Sequence, residues 1–260
     1  MTRTTRMRTT TTTTTTTPGS GVQRIPRGPR LEAICFDLDD TLVNASGAWL
    51  AGLTEALTEA VERYPALAAI DDLAGLQQRL VYEAFITAGG EWDPQHVRAS
   101  IRRLLREHAE RDDALADRAF EAYTHAWPRH LTLFPDTLAT LDAARQLAPL
   151  ALITNGTSSE QRLKIERLGL LGHFDVVSIS QEVGALKPHG AIFAHALDAL
   201  GVRPEAALHI GDDQHADVHG AREAGLTAVW LNRHAKTRRE DIDPHHEVSD
   251  LHGLVRLLRG

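Results

Sequence analysis

Asp37-Leu38-Asp39-Asp40-Thr41 places three carboxylates and a hydroxyl within one short segment. Asp37 and Asp39 are two apart, so on an extended backbone they point the same way. Carboxylates held that close repel unless a cation or a shared proton offsets the charge. A divalent metal with oxygen ligands is the natural partner, and Mg²⁺ takes a few carboxylates together with phosphate oxygens. Taken alone, the cluster reads equally as a solvated acidic loop.

Three further segments carry the same ambiguity. Thr154-Asn155-Gly156-Thr157 offers a hydroxyl and free backbone N–H groups at a turn, which is an anion seat or a helix cap. Lys187-Pro188 stands before a helical stretch, in a chain with only Lys164, Lys187 and Lys236 as lysines. It is a functional cation or a surface one. Gly211-Asp212-Asp213-Gln214-His215-Ala216-Asp217 supplies more carboxylates, or an Asx-type turn with a cap.

The elements that must position these groups are short apolar runs. Leu31–Phe36, Pro149–Ile153, Phe174–Ile179, Ala207–Ile210 and Leu226–Leu231 read as buried strands. Helical periodicity covers Ser158–Leu168, Pro188–Leu200 and Asp217–Ala224, with Pro188 suited to a first turn. Strands alternating with helices predict an α/β fold with a doubly wound parallel sheet. In such sheets reacting groups gather at the carboxyl ends of strands, where Asp37, Thr154 and Asp212 fall.

From Gly47 to Leu131 the alternation stops. Apolar stripes at helical spacing include Trp49, Leu53 and Leu57, then Leu73, Leu76 and Leu80, then Val97, Ile101 and Leu104; Phe120 and Tyr123 mark a fourth helix. Pro65, Gly89-Gly90 and Pro94 break the first three stripes. The chain divides into a core at 31–46 and 132–260 and an inserted helical cap at 47–131. Residues 1–30 hold a threonine run, Thr9–Thr17, six arginines and no acid, which predicts a disordered tail. A transit segment and a mis-assigned translation start are its other readings.

Composition removes whole classes. One cysteine, Cys35, excludes a disulfide framework and a cysteine-based zinc cluster, and it reads as a core residue. No run approaches the ~20 apolar residues of a membrane span. A formal charge of −7 argues against a nucleic-acid binder. His245-His246 with His234 matches no ligand pattern and reads as a solvated C-terminal loop.

Together and in this order, the four segments resemble the haloacid dehalogenase superfamily over about Leu31 to Leu258. That family carries Asp-x-Asp-x-Thr after the first strand, Ser or Thr after the second, a lysine near a later helix start, and Gly-Asp-x(4)-Asp after the fourth. The resemblance implies a Rossmann-like core with an inserted cap. It makes Asp37 the nucleophile and Asp39 the general acid and then base, with a pKa raised by acidic neighbours. Mg²⁺ would be held by Asp37, Asp39 (through its backbone carbonyl) and Asp212. Thr154, Asn155 and Lys187 would bind the phosphoryl group, Asp217 would orient Lys187, and Asp213 is a possible extra metal-shell group.

Asp39 also separates branches. A halide leaves without a proton and an ester oxygen does not, so Asp39 points to a phosphatase rather than a dehalogenase. The phosphonate-cleaving branch needs a cap lysine, and none lies between Thr41 and Thr154. A signalling receiver domain is about half this length and has no cap. The implied function is a cytoplasmic Mg²⁺-dependent phosphatase for a small metabolite: a nucleotide, phosphoglycolate or a sugar phosphate. A phosphomutase and a non-catalytic binding module are the alternatives. A monomer or homodimer with no membrane partner is expected. Val43–Gly47 and Gly89-Gly90-Glu91-Trp92 are the candidates to touch substrate, with Trp92 either stacking on a base or sugar or packing under the loop.

Overall fold

The computed structural model describes residues 31–88 and 92–259. The tail at 1–30 and Gly89-Gly90-Glu91 of the candidate turn lie outside the described residues. A six-stranded sheet has the order β3-β2-β1-β4-β5-β6, and every pair is parallel. The strands are β1 (Ala33–Phe36), β2 (Leu150–Thr154), β3 (Val176–Ile179), β4 (Ala207–Gly211), β5 (Thr227–Leu231) and β6 (His246–Val248). β1 is central, with Ile34 beside Leu150 on one side and Leu208 on the other.

Continuous apolar strands form here because both sheet faces are covered. Ile34, Phe36, Leu152 and Ile210 belong to one core, and Ala33, Cys35, Ile153 and Trp230 to the other. Burying one such large side chain contributes about 1.5–3 kcal/mol. Cys35 is in the core as expected, and burial pushes its thiol up to about 12.

The helices are α1 (Ala45–Ala56), α2 (Thr58–Arg63), α3 (Pro65–Ala68), α4 (Leu73–Thr87), α5 (Gln95–His108), α6 (Asp113–Ala126), α7 (Thr137–Arg145), α8 (Ser158–Arg167), α9 (Ser180–Val183), α10 (Gly190–Leu200), α11 (Gly220–Glu223) and α12 (Leu251–Arg259). The first six follow one another without a named strand. Asn44, Asp72 and Asp112 cap α1, α4 and α6 by accepting from Gly47, Gly75 and Leu115 N–H. No described helix is long and apolar enough to cross a membrane.

Of the C-terminal histidines, His234 and His245 are exposed outside any strand, and His246 is the correction. His246 is buried in β6 beside Val229, and His245 Nδ1 accepts from Ala228 N–H at 3.0 Å. The backbone ladder pins this edge strand, although its His-Glu-Val sequence has no apolar run to reveal it.

Candidate active site

Asp37 and Asp212 directly follow β1 and β4, and Thr154 is the last residue of β2, so all three stand at the carboxyl ends of strands as expected. β1 ends at Phe36, Asp37 N–H donates to Ile210 O at 2.9 Å, and the chain then turns. Leu42 and Val43 N–H both donate to Leu38 O at 3.0 Å, and Asp40 sits at φ 56. The turn falls at Asp40, beyond both carboxylates, and each of the two carboxyls meets a lysine of its own. Lys187 Nζ is 2.5 Å from Asp37 Oδ1. Lys164 Nζ is 2.8 Å from both oxygens of Asp39. Gln161 Nε2 is 2.9 Å from Asp39 Oδ2, and Glu160 is an acidic neighbour of the same carboxyl.

Lys187 is the hub of a buried network. It also donates to Ile153 O at 2.9 Å and to Asp217 Oδ1 at 2.6 Å. His209 Nε2 lies 3.0 Å from the same oxygen, and Asp213 N–H donates to Asp217 Oδ2 at 3.0 Å. Burial opposes the charge on Asp217, yet Lys187 and His209 hold its carboxyl well below the usual range. Burial likewise opposes the charge on Lys187, and Asp217 and Asp37 hold it protonated. Asp37 goes the other way: burial pushes it up, and Asp217 and Asp212 add to the rise. Gly211 makes the Asp217 geometry feasible, because a Cβ there would meet Asp217 Cγ at 2.2 Å.

Carboxylate oxygens of Asp37, Asp212 and Asp217 lie within 4.8 Å of one another. Burial, then Asp217, pushes Asp212 up to about 6, against the nearby Lys236 ammonium at 2.9 Å. Three carboxylates with too little positive charge and only oxygen donors fit a hard divalent cation such as Mg²⁺. Both Asp217 oxygens are already engaged, so Asp37 and Asp212 are the side chains with an oxygen to spare. The Asp39 carboxyl is outside this cluster, which leaves its backbone carbonyl as the group expected to reach a metal. Asp213 Oδ1 caps the following helical turn by accepting from His215 and Ala216 N–H.

The expected phosphate seat is partly rebuilt. Thr154 is buried at the end of β2, with Gln161 Nε2 2.6 Å from its Oγ1. The Asn155 side chain clamps the Lys187 peptide, donating to Lys187 O at 2.9 Å and accepting from Lys187 N–H at 2.7 Å. It therefore positions the Lys187 backbone. Thr157 caps α8 by accepting from Glu160 N–H at 3.3 Å.

Lys164, Gln161, His209 and Lys236 were not singled out from the sequence. Lysine rarity was the usable signal, since all three lysines pair with Asp37, Asp39 or Asp212. A cavity of about 660 Å³ opens from Asp39 and Asn155 toward Trp49, Phe85, Trp92 and Trp127 of the helical segment.

An enzyme of the hydrolase class is what this parallel sheet and its strand-end acid–lysine network define. The chain belongs to the haloacid dehalogenase-like hydrolases, whose family model matches residues 31–225. Pyrimidine 5'-nucleotidase YjjG of Escherichia coli is 35% identical over 206 residues, covering 72% of this chain and 91% of that protein. Phosphoserine phosphatase of Thermus thermophilus is 36% identical over 208 residues, covering 78% and 75%. The magnesium-bound structure of the HAD-hydrolase YfnB from Bacillus subtilis aligns with TM-score 0.75 at 23% identity, over 89% of this chain and 100% of that one, which shows the shared fold. The chain is thus a phosphatase-type hydrolase of this family.

Proposed function

We propose that this protein is a cytoplasmic Mg²⁺-dependent phosphatase that hydrolyses a small phosphorylated metabolite through an aspartyl-phosphate on Asp37. The carrying observation is Lys187, 3% exposed and clamped between Asp37 and Asp217 beside Asp212. A surface lysine has no reason to be buried among carboxylates, and the arrangement costs desolvation that a phosphoryl-binding role repays.

Phosphoryl transfer depends on positioning and on neutralising oxygen charge. Asp37 and Asp212, with the Asp39 carbonyl, would hold Mg²⁺, which would let carboxylate and phosphate approach each other. Lys187 and the Thr154 hydroxyl hold the equatorial oxygens. An Asp37 oxygen bonds to phosphorus as the ester P–O bond breaks, and Asp39 gives its proton to the departing oxygen. Water then attacks phosphorus, its proton passes to the Asp39 carboxylate, and the Asp37–phosphorus bond breaks to release phosphate. Asp217 orients Lys187, and His209 and the Asp213 N–H orient Asp217. The helical segment, as a cap over residues 47–131, selects the leaving group. Nucleotides, phosphoglycolate and sugar phosphates are the candidate classes; a relative named for a nucleotide supports the first, and one named for phosphoserine supports a small phosphorylated metabolite in general.

The test is phosphate release from a panel of those metabolites, with and without Mg²⁺, beside Asp37→Asn. Mg²⁺-dependent release that Asp37→Asn abolishes is the expected result. No release from any member with Mg²⁺ present would overturn the proposal.

A further inference from the structure

Three of the four tryptophans in the chain line one cavity. Trp49, Trp92 and Trp127 face the space of about 660 Å³ above Asp39, together with Phe85 and Tyr123. Only Trp230 is elsewhere, in the second core. Trp127 and Tyr123 are also buried in the first core, so the partly buried Trp49, Phe85 and Trp92 are the rings that give the cavity a flat aromatic wall. The volume is in the range that encloses a drug-sized ligand, more than a three-carbon phosphate needs.

The polar groups narrow the class. Among the described residues lining the cavity, Lys164 is the one cation, and Asp39 already engages it. A substrate bearing a carboxylate would find no uncommitted cation among those described lining residues. Glu160 is pushed up by burial, and its Oε2 accepts from Trp92 Nε1 at 2.9 Å. That bond fixes the Trp92 ring across the gap between α8 and the helical segment. Glu160 and Gln78 are hydrogen-bonding groups on the wall, suited to the edge of a neutral polar ring. Phe85 lies 6.5 Å from Trp92, ring centre to ring centre, which extends the aromatic wall.

We infer that the cavity is a nucleobase site, so that the substrate is a nucleoside monophosphate whose base lies against Trp92 and Phe85. The inference rests on the phosphatase reading and narrows it. Stacking a base on an aromatic side chain is worth about 1–3 kcal/mol, roughly five- to 150-fold in affinity.

The experiment compares UMP, CMP, AMP and GMP with ribose 5-phosphate and with acetyl phosphate. Acetyl phosphate has no ring and reports the phosphatase chemistry by itself. The expected result is a kcat/KM for at least one nucleotide about tenfold or more above that for ribose 5-phosphate. Trp92→Ala and Phe85→Ala should each shrink that ratio, and Trp92→Phe should keep most of it. Calorimetric binding of the same nucleotides and of ribose 5-phosphate to Asp37→Asn gives a readout independent of turnover. Acetyl phosphate hydrolysed while ribose 5-phosphate equals or beats every nucleotide would overturn the inference and leave the phosphatase reading intact. If nothing is hydrolysed, the phosphatase reading fails, and calorimetry alone decides: tighter nucleotide binding supports the base site, and equal binding overturns it.

Discussion

Replacing Asp212 by Asn should stabilise the metal-free protein at neutral pH while destroying its response to Mg²⁺. Asp212 stands at about 6 in the folded protein against an ordinary 3.8, through burial first and Asp217 second. A raised folded pKa means the native state holds the proton more tightly than the unfolded chain does. The associated stability is fully present below the unfolded value and is lost as pH rises through about 6. The shift of about two units corresponds to roughly 3 kcal/mol at neutral pH. For a chain of this size that is on the order of 6–12 °C in Tm. His209, held low by burial, moves stability the opposite way in the same window. The comparison is therefore between wild type and Asp212→Asn at each pH, by thermal unfolding in EDTA and in Mg²⁺. In EDTA the two should unfold together near pH 4, and the variant should be the more stable near pH 7.5. Mg²⁺ should raise the wild-type Tm far more near pH 7.5 than near pH 4.5 and should barely move the variant. A variant that is less stable at both pH values, or a Mg²⁺ increment independent of pH, would refute the reasoning.

Other perturbations have equally definite outcomes. Lys187→Met leaves Asp37 and Asp217 buried without their shared cation, so urea unfolding should show a loss of about 3–5 kcal/mol alongside loss of phosphate release. Gly211→Ala puts a Cβ 2.2 Å from Asp217 Cγ and should displace the group that orients Lys187, lowering kcat sharply. Gly184 has open space around it but a φ of +77, so the better control is Gly190→Ala, which meets nothing within 4 Å and should keep kcat. Lys164→Met should lower kcat about tenfold or more with little change in KM, and Lys164→Arg should restore part of it, because Lys164 and Gln161 orient the Asp39 carboxyl. A KM effect alone would place Lys164 on the substrate instead.

The parallel sheet was legible because its central strands are unbroken apolar runs, a pattern that demands cover on both faces. β6 was not legible, since an edge strand of His, Glu and Val is held by backbone pairing to β5 and has no apolar signature. At the site, Asp37, Lys187, Asp212 and Asp217 could be read because their four segments, ambiguous one by one, fall in the order of the family they resemble. Lys164 and Gln161 could not be read the same way, because they reach Asp39 across more than a hundred residues of sequence. Their facing positions depend on how α8 packs beneath the turn after β1. The Asn155 side chain has a second task that its type does not reveal, since its two hydrogen bonds close on the Lys187 peptide. The turn after Asp39, where the Leu38 carbonyl accepts from Leu42 and Val43 N–H and Asp40 takes a φ of 56, has no signature in residue types alone.

The central claim is that Asp37 carries the phosphoryl group between substrate and water. It is tested most directly by mixing the protein with ³²P-labelled acetyl phosphate and Mg²⁺, quenching in acid within the first turnover, and mapping the labelled peptide. The account predicts an acid-stable, base-labile label on the peptide containing Asp37, absent from Asp37→Asn. Phosphate released at an undiminished rate by Asp37→Asn, or label on a peptide without Asp37, would contradict it.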